Sequence, residues 1–217
     1  MIMRSTLRSQ IATALRDEVL AGRLPPGRQF TVKEIAEQYG VSATPVREAL
    51  VDLAAQGLLD VEQHRGFRVH EYSLDDLRHM VQARALVTEG AFCRDVGQAP
   101  VGGADFASVR RRAQAARRAA LGGDIDVLVA YDLRFWRELG ALVGNNPCIA
   151  GFLDRLRIQC WVCAVPHLRR RPGLSGRLWS GHCELVTAAE RRDLAAVQRI
   201  VAEYDAHWLA LIDKLAG

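Results

Sequence analysis

Several basic residues stand where a cation could reach a polyanion. Arg47 follows Thr44-Pro45-Val46, Lys33 lies two residues after Thr31, and Arg65 adjoins Gly66. A guanidinium can donate to guanine O6 and N7 together, which makes Arg47 the first candidate to read a base and Lys33 the second. The hydroxyls of Ser42 and Thr44 suit phosphate oxygens. Cys160-x-x-Cys163 has the spacing of half a zinc site, yet no second such pair completes it, and packing as small hydrophobes is the simpler use of these thiols. No nucleophile elbow, phosphate loop or HExxH sequence is present, so the chemistry on offer is recognition rather than turnover.

These groups act only if the chain holds them outward. Ser9 can cap a helix with Ile11, Leu15 and Val19 on one stripe, stopped by Gly22, and Leu24-Pro-Pro-Gly27 is then a turn. Thr31-x-x-Glu34 is a capping box opening a two-turn helix that Gly40 ends. Thr44 is expected as the next N-cap with Pro45 at the first helical position, and Val46, Ala49, Leu50 and Leu53 give the helix Thr44 to Gln56 its buried side. Leu59/Val61 and Phe67/Val69 alternate with charged residues on either side of Gln63-His-Arg-Gly66, a hairpin tip.

Three helices plus a β-hairpin make a winged helix-turn-helix, expected over residues 1–71. Its third helix would enter a major groove, Arg65 at the wing tip would reach an adjacent minor groove, and Gly66 would let that tip approach closely. Two blander roles stay open: Thr44 as a cap alone, and Arg47 paired with Glu48 or Asp52 on the surface.

From Ser73 the texture changes. No strand signal remains, and an all-α bundle is expected over 72–217: a helix capped by Ser73-x-x-Asp76 and running to about 96, a loop at 97–104, then helices near 105–121, 124–143, 147–165, 175–191 and 193–215. The fold class is mainly α.

With 217 residues, 49% hydrophobic and 25% charged, the chain can bury a core and is not a disordered polymer. No run approaches the roughly 18 apolar residues of a membrane span, and no apolar stretch follows the basic start, so a cytoplasmic protein is expected. Five scattered cysteines suit reduced thiols. The net charge of +4 is weak support for a nucleic-acid partner, since Met1 to Glu71 carries nine Arg and Lys against nine Asp and Glu. What matters is the face those charges occupy.

Gly22-Arg-Leu-Pro-Pro-Gly27, Val41-Ser-Ala-Thr-Pro-Val-Arg-Glu-Ala-Leu50, Leu53, Gly57-Leu58 and Arg65-Gly66 together resemble the GntR family of bacterial transcription regulators. The remainder resembles the ligand-sensing FCD domain of the FadR-type subfamily, in Asp132-x-x-Phe135 before Gly144-Asn145, in His182, and in Asp193 eleven residues on. The resemblance implies a homodimeric regulator, a repressor, bound to a pseudo-palindromic double-stranded operator and controlled by a small-molecule carboxylate, with the linker at Glu71-Tyr-Ser73 as hinge. It also implies a divalent metal held by an Asp, a His four residues later and two further His.

Here Asp132 and His182 match, but Trp136 takes the second position and Tyr204 the last, with His207 one turn beyond. The expectation is therefore a pocket without a tightly bound cofactor metal. Asp132, His182, Tyr204 and His207 would hydrogen-bond the effector, and Arg84 would meet its carboxylate. Family members commonly carry Arg where Ala43 stands, so their operator sequence does not transfer.

The alternatives are a metal-responsive regulator or metal-dependent enzyme using Asp132, His182 and His207, and an architectural DNA binder without effector. His182 could also simply pack at a helix start while Asp132 pairs with Arg134 or Arg137. The run Arg110-Arg-Arg112 with Arg117-Arg118 reads as a solvated face, and Trp161 and Trp179 as core or dimer contacts.

Overall fold

A computed structural model of the chain describes residues 6–92, 105–144 and 146–216. Its backbone falls into two compact units, Met1–Tyr72 and Ser73–Gly217.

The first unit holds α1 (Leu7–Leu20), β1 (Gln29–Phe30), α2 (Val32–Tyr39), α3 (Ala43–Ala55), β2 (Leu59–Glu62) and β3 (Gly66–Val69). Ile11, Leu15 and Val19 do form the buried stripe of α1, but Thr6 rather than Ser9 is its cap, accepting from the Ser9 amide. The Thr31–Glu34 capping box closes in both directions at the start of α2. α3 begins one residue before the expected cap: Ser42 is the N-cap, without a side-chain bond, and Thr44 lies inside the first turn. Pro45 is tolerated there because the first four amides of a helix have no intrahelical acceptor to lose. Val46, Ala49, Leu50 and Leu53 are buried, and α1 and α2 both pack on α3.

The sheet has a third strand that the sequence pattern did not announce. β3 sits between β2 and β1, antiparallel to both, with Phe30 opposite Phe67 and Leu59 opposite Val69. Two residues are too few to show a period, which is why β1 escapes a pattern reading. Gly66 is required by this sheet: at φ +104 a Cβ would lie 2.4 Å from the Phe30 carbonyl oxygen.

The second unit is helical: α4 (Leu74–Val87), a π-helical turn (Thr88–Phe92), α5 (Ala107–Gly122), α6 (Ile125–Val143), α7 (Pro147–Arg169), α8 (His182–Arg191) and α9 (Leu194–Ala216). Ser73 and Asp76 cap α4 reciprocally. The expected continuation to 96, Cys93, the loop at 97–104 and Asn145 lie outside the described residues.

Two helix bounds differ from expectation. α7 passes through Pro166 to Arg169, where Trp161 to Val165 and Leu168 are all buried and their packing outweighs one lost backbone bond. α8 starts at His182 rather than near 175, because Gly173 and Gly176 adopt positive φ and keep the preceding segment out of a helix. Among the described residues no helix is long and apolar enough to cross a membrane.

Candidate functional site

The first unit presents a concave face of about 660 Å³ between the start of α2, the outer side of α3 and the hairpin. Lys33, Arg47, Arg65 and Gly66 line it together with Val51 and Val61. Three cations from separate sequence segments thus share one surface. Arg47 is exposed and makes no hydrogen bond or ion pair among the described residues. Asp52, one of its expected surface partners, is instead bound by Arg8 of α1, which holds its carboxyl below the ordinary range.

Lys33 makes only a long i,i+4 contact with Glu37, at 3.8 Å, and Arg65 is exposed on the hairpin tip. Ser42 and Thr44 are exposed at the amino-terminal turn of α3, where free amides and the helix dipole favour an anion. Arg68, by contrast, is spent within the sheet on Asp60, Glu62 and Glu71. Val51 and Val61, 52% and 67% exposed, are apolar members of the face that sequence reading did not single out. Such side chains can pack on a thymine methyl.

In the second unit Asp132 of α6 meets His182 at the start of α8: Oδ1 lies 3.0 Å from His182 Nε2, and Oδ2 accepts from Trp161 Nε1 of α7 at 2.8 Å. Neither Arg134 nor Arg137 takes this carboxylate, Arg137 being engaged with Asp154. Asp132 and His182 are almost wholly buried. Around them stand Trp136, Trp179, Tyr204 and Trp208, and Trp136 and Trp179 stack at 6.4 Å between centroids. Trp161 is in the core, and Trp179 reaches this cluster from the irregular segment before α8, its ring lying over Gly181.

Arg84 of α4 is 1% exposed, pairs with Asp205 at 2.7 Å, reaches the Tyr204 hydroxyl at 3.4 Å and lies 4.5 Å over its ring. Desolvation opposes its charge, but the Asp205 carboxylate beside it holds it protonated. Burial raises Tyr204 above the usual phenol value, and raises Asp205 too, against the pull of Arg84. The Arg84 fork is therefore largely committed to the protein.

Asp205 and Arg157 are charged residues that sequence reading missed. Both sit on apolar stripes: Asp205 four residues after Val201 and three before Trp208, Arg157 four after Leu153 and three before Cys160. A charge at such a position is the signal that could have found them.

His207 is half-buried on α9 and lines the same small cavity as Asp132, His182 and Tyr204, about 20 Å³. Among the described residues neither His182 Nδ1 nor His207 Nε2 has a hydrogen-bond partner. The Thr88 hydroxyl, one turn beyond Arg84 on the π-helical turn, is another buried group without one.

A divalent ion does not fit this set. Both Asp132 oxygens are used, Trp136 and Tyr204 stand at two of the four ligand positions, and the guanidinium groups of Arg84 and Arg157 already bring positive charge. Among the described residues no three His, Cys, Asp or Glu side chains gather as a metal site. Cys160 and Cys163 are buried, and burial pushes the Cys163 thiol up to about 12, the state of a packed side chain rather than a ligand. Of the basic run on α5, Arg110 pairs with Glu190 and Arg112 with Glu138.

Comparison with known proteins accords with both geometries. Residues 7–69 match the model of bacterial regulatory proteins of the gntR family, and residues 79–206 match that of the FCD domain. A "Probable D-xylose utilization operon transcriptional repressor" of Paenarthrobacter nicotinovorans is 37% identical over 138 residues, 64% of this chain, and the chain spans 60% of that relative's length. McbR, an HTH-type transcriptional regulator of Escherichia coli (strain K12), is 33% identical over 171 residues, 75% of this chain and 71% of its own.

Among solved structures, E. coli McbR/YncC superposes with a TM-score of 0.79 at 22% identity, covering 99% of this chain and 100% of that one. A transcriptional regulator from Rhodococcus sp. RHA1 gives 0.72 at 21% identity over 96% and 98%. These two are likenesses of fold. The winged helix, the helical bundle and both sequence matches lead to one assignment: the chain belongs to the GntR family of bacterial regulatory proteins, in the group that carries an FCD domain behind the DNA-binding head.

Proposed function

We propose that this chain is a DNA-binding transcription regulator, a repressor, whose FCD domain senses a small organic acid. The observation that carries the reading is the shared concave face on which Arg47, Lys33 and Arg65 stand exposed, with Arg47 taken up by no side chain. A cation kept in water is available to phosphates and base edges at no cost in lost internal pairs. Arg47 reads guanine from the first turns of α3, Ser42 and Thr44 hold phosphates, and Arg65 enters the minor groove. A symmetric dimer places two such faces on a pseudo-palindrome, with half-sites about 34 Å apart.

The effector reading rests on Asp132, His182, Tyr204 and His207 around a cavity with two unsatisfied imidazole nitrogens, and on Arg84 behind its wall. A cavity of about 20 Å³ holds one water, so an acid enters only as an aromatic wall moves. Trp179, on the irregular segment before α8, is the wall least restrained by helical backbone. A coupling of about 1–3 kcal/mol between the two sites changes operator affinity roughly 5- to 150-fold. No catalytic step is part of this reading, in keeping with relatives named as regulators.

Footprinting on the DNA upstream of the coding sequence, with and without a series of small carboxylic acids, tests it. The expected result is protection of two symmetric half-sites that one acid weakens or abolishes. Uniform protection with a steep salt dependence and no response to any acid contradicts it.

A further inference from the structure

A different cavity, of about 50 Å³, is lined by residues of α6 and α7 and shares no lining residue with the Asp132 pocket. Trp136, Gly140, Ala150 and Leu153 form its walls, Arg137 and Asp154 also line it, and Arg157 supplies its charge. Arg157 is 6% exposed, and its Nε has no hydrogen-bond partner. Among the described residues its guanidinium makes no ion pair either; its central carbon lies over the Trp136 ring, 4.4 Å from the centroid.

A guanidinium offers five N–H donors, and burying even one of them, as Nε is here, without an acceptor is unfavourable. The nearby carboxylates are engaged elsewhere: Asp205 with Arg84, Asp132 with His182 and Trp161. Asp154 is neutralised within the cavity by Arg137, which donates to both its oxygens at 2.9 and 3.0 Å. Asp132 and Asp205 favour the Arg157 charge from a distance, but neither forms an ion pair with it, so its donors remain open toward the cavity. The indole that displaces the family's second metal ligand is the same ring over which this planar guanidinium lies, and a guanidinium presents paired donors that match a planar acceptor.

We infer that the Trp136–Arg157 cavity is a metal-independent anion site that takes the carboxylate of a small acid. Fork-to-fork pairing matches two guanidinium N–H groups to two carboxylate oxygens, and the volume admits a group of acetate size. The site is separate from the pocket around Asp132 and stands or falls independently of the sensing role proposed for it.

The test uses the full-length protein in EDTA, titrated with sodium acetate against sodium chloride at matched ionic strength, and read by tryptophan fluorescence and by thermal melting. The expected result is a saturable acetate response in both, weakened at least about tenfold in R157M, partly kept in R157K, and unchanged in R155M, which removes an exposed arginine of the same helix. Without acetate, R157M is expected to melt no lower than the wild type, because it removes a buried charge that has no partner.

Absence of a saturable response in the wild-type protein overturns the assignment, as does a response that needs added zinc. An R157M protein that melts well below wild type without acetate overturns it too, by showing the guanidinium to be part of the framework. If R157M leaves the acetate response intact while an acid still shifts operator binding, the anion site fails and the sensing role survives.

Discussion

In the first unit Arg47 and Arg65 stand exposed, their side chains unpaired among the described residues, whereas in the second Arg84 and Arg157 are buried against Tyr204 and Trp136. The same side chain thus stands in two opposite settings. An exposed guanidinium on a concave face can meet a rigid polyanion many times its size, while a buried one can meet only what fits a cavity. The contrast extends to stability. Removing an exposed arginine leaves the fold as it was, but removing a partner of a buried one strands a charge.

The largest effect is expected where that contrast is broken from inside. D205A leaves Arg84 without its carboxylate at 1% exposure and should destabilise the helical unit by about 3–5 kcal/mol, read by denaturant unfolding. A loss below about 1 kcal/mol would mean that the aromatic rings alone hold Arg84. Next is G66A in the winged unit. Positive φ and the Phe30 carbonyl should make alanine worse by about 1–3 kcal/mol in melting of that unit, and an unchanged midpoint would show that the sheet yields there.

R65A sharpens the exposed side of the comparison. It should leave melting unaltered and reduce the slope of log affinity for DNA against log salt by about one unit, so an unchanged slope would take the wing tip off the DNA. The smallest effect concerns pH. Burial, assisted by Lys214, holds the His207 imidazole below its ordinary value. The fold accepts the neutral ring, so this contribution is complete above about pH 6.5 and is lost as pH falls through the depressed folded-state value. H207L should flatten the acid-side slope of stability, and an unchanged slope would place that titration elsewhere.

Much of the reading head was legible because each of its elements is locally marked. Thr31 and Glu34 write their own capping box, and the stripe of α3 puts Arg47 outward by elimination, since Val46, Ala49, Leu50 and Leu53 claim the other side. What was missed there is small and physical: a two-residue strand with no period, and a helix whose cap lies two residues early because proline is welcome anywhere in a first turn.

The helical unit was less legible. Its helices announce themselves, but the partnerships that decide its chemistry join residues far apart in sequence. Arg84 meets Asp205 across 121 positions and Asp132 meets His182 across 50. Neither spacing nor composition states which cation finds an anion. Arg157 stands on the Leu153–Cys160 stripe of α7, which marks it as inward-facing, but nothing in the sequence states that an aromatic ring rather than a counter-ion would lie against it.

The claim on which the whole reading depends is that Arg47 faces outward to read a base. The most direct measurement compares wild type and R47A on the footprinted operator and on the same DNA with its candidate guanines replaced, with melting followed in parallel. The account predicts that R47A loses about 1–3 kcal/mol of preference for the intact operator, with a change in stability inside about 0.5 kcal/mol. An R47A protein that discriminates between the two DNAs as well as wild type contradicts it.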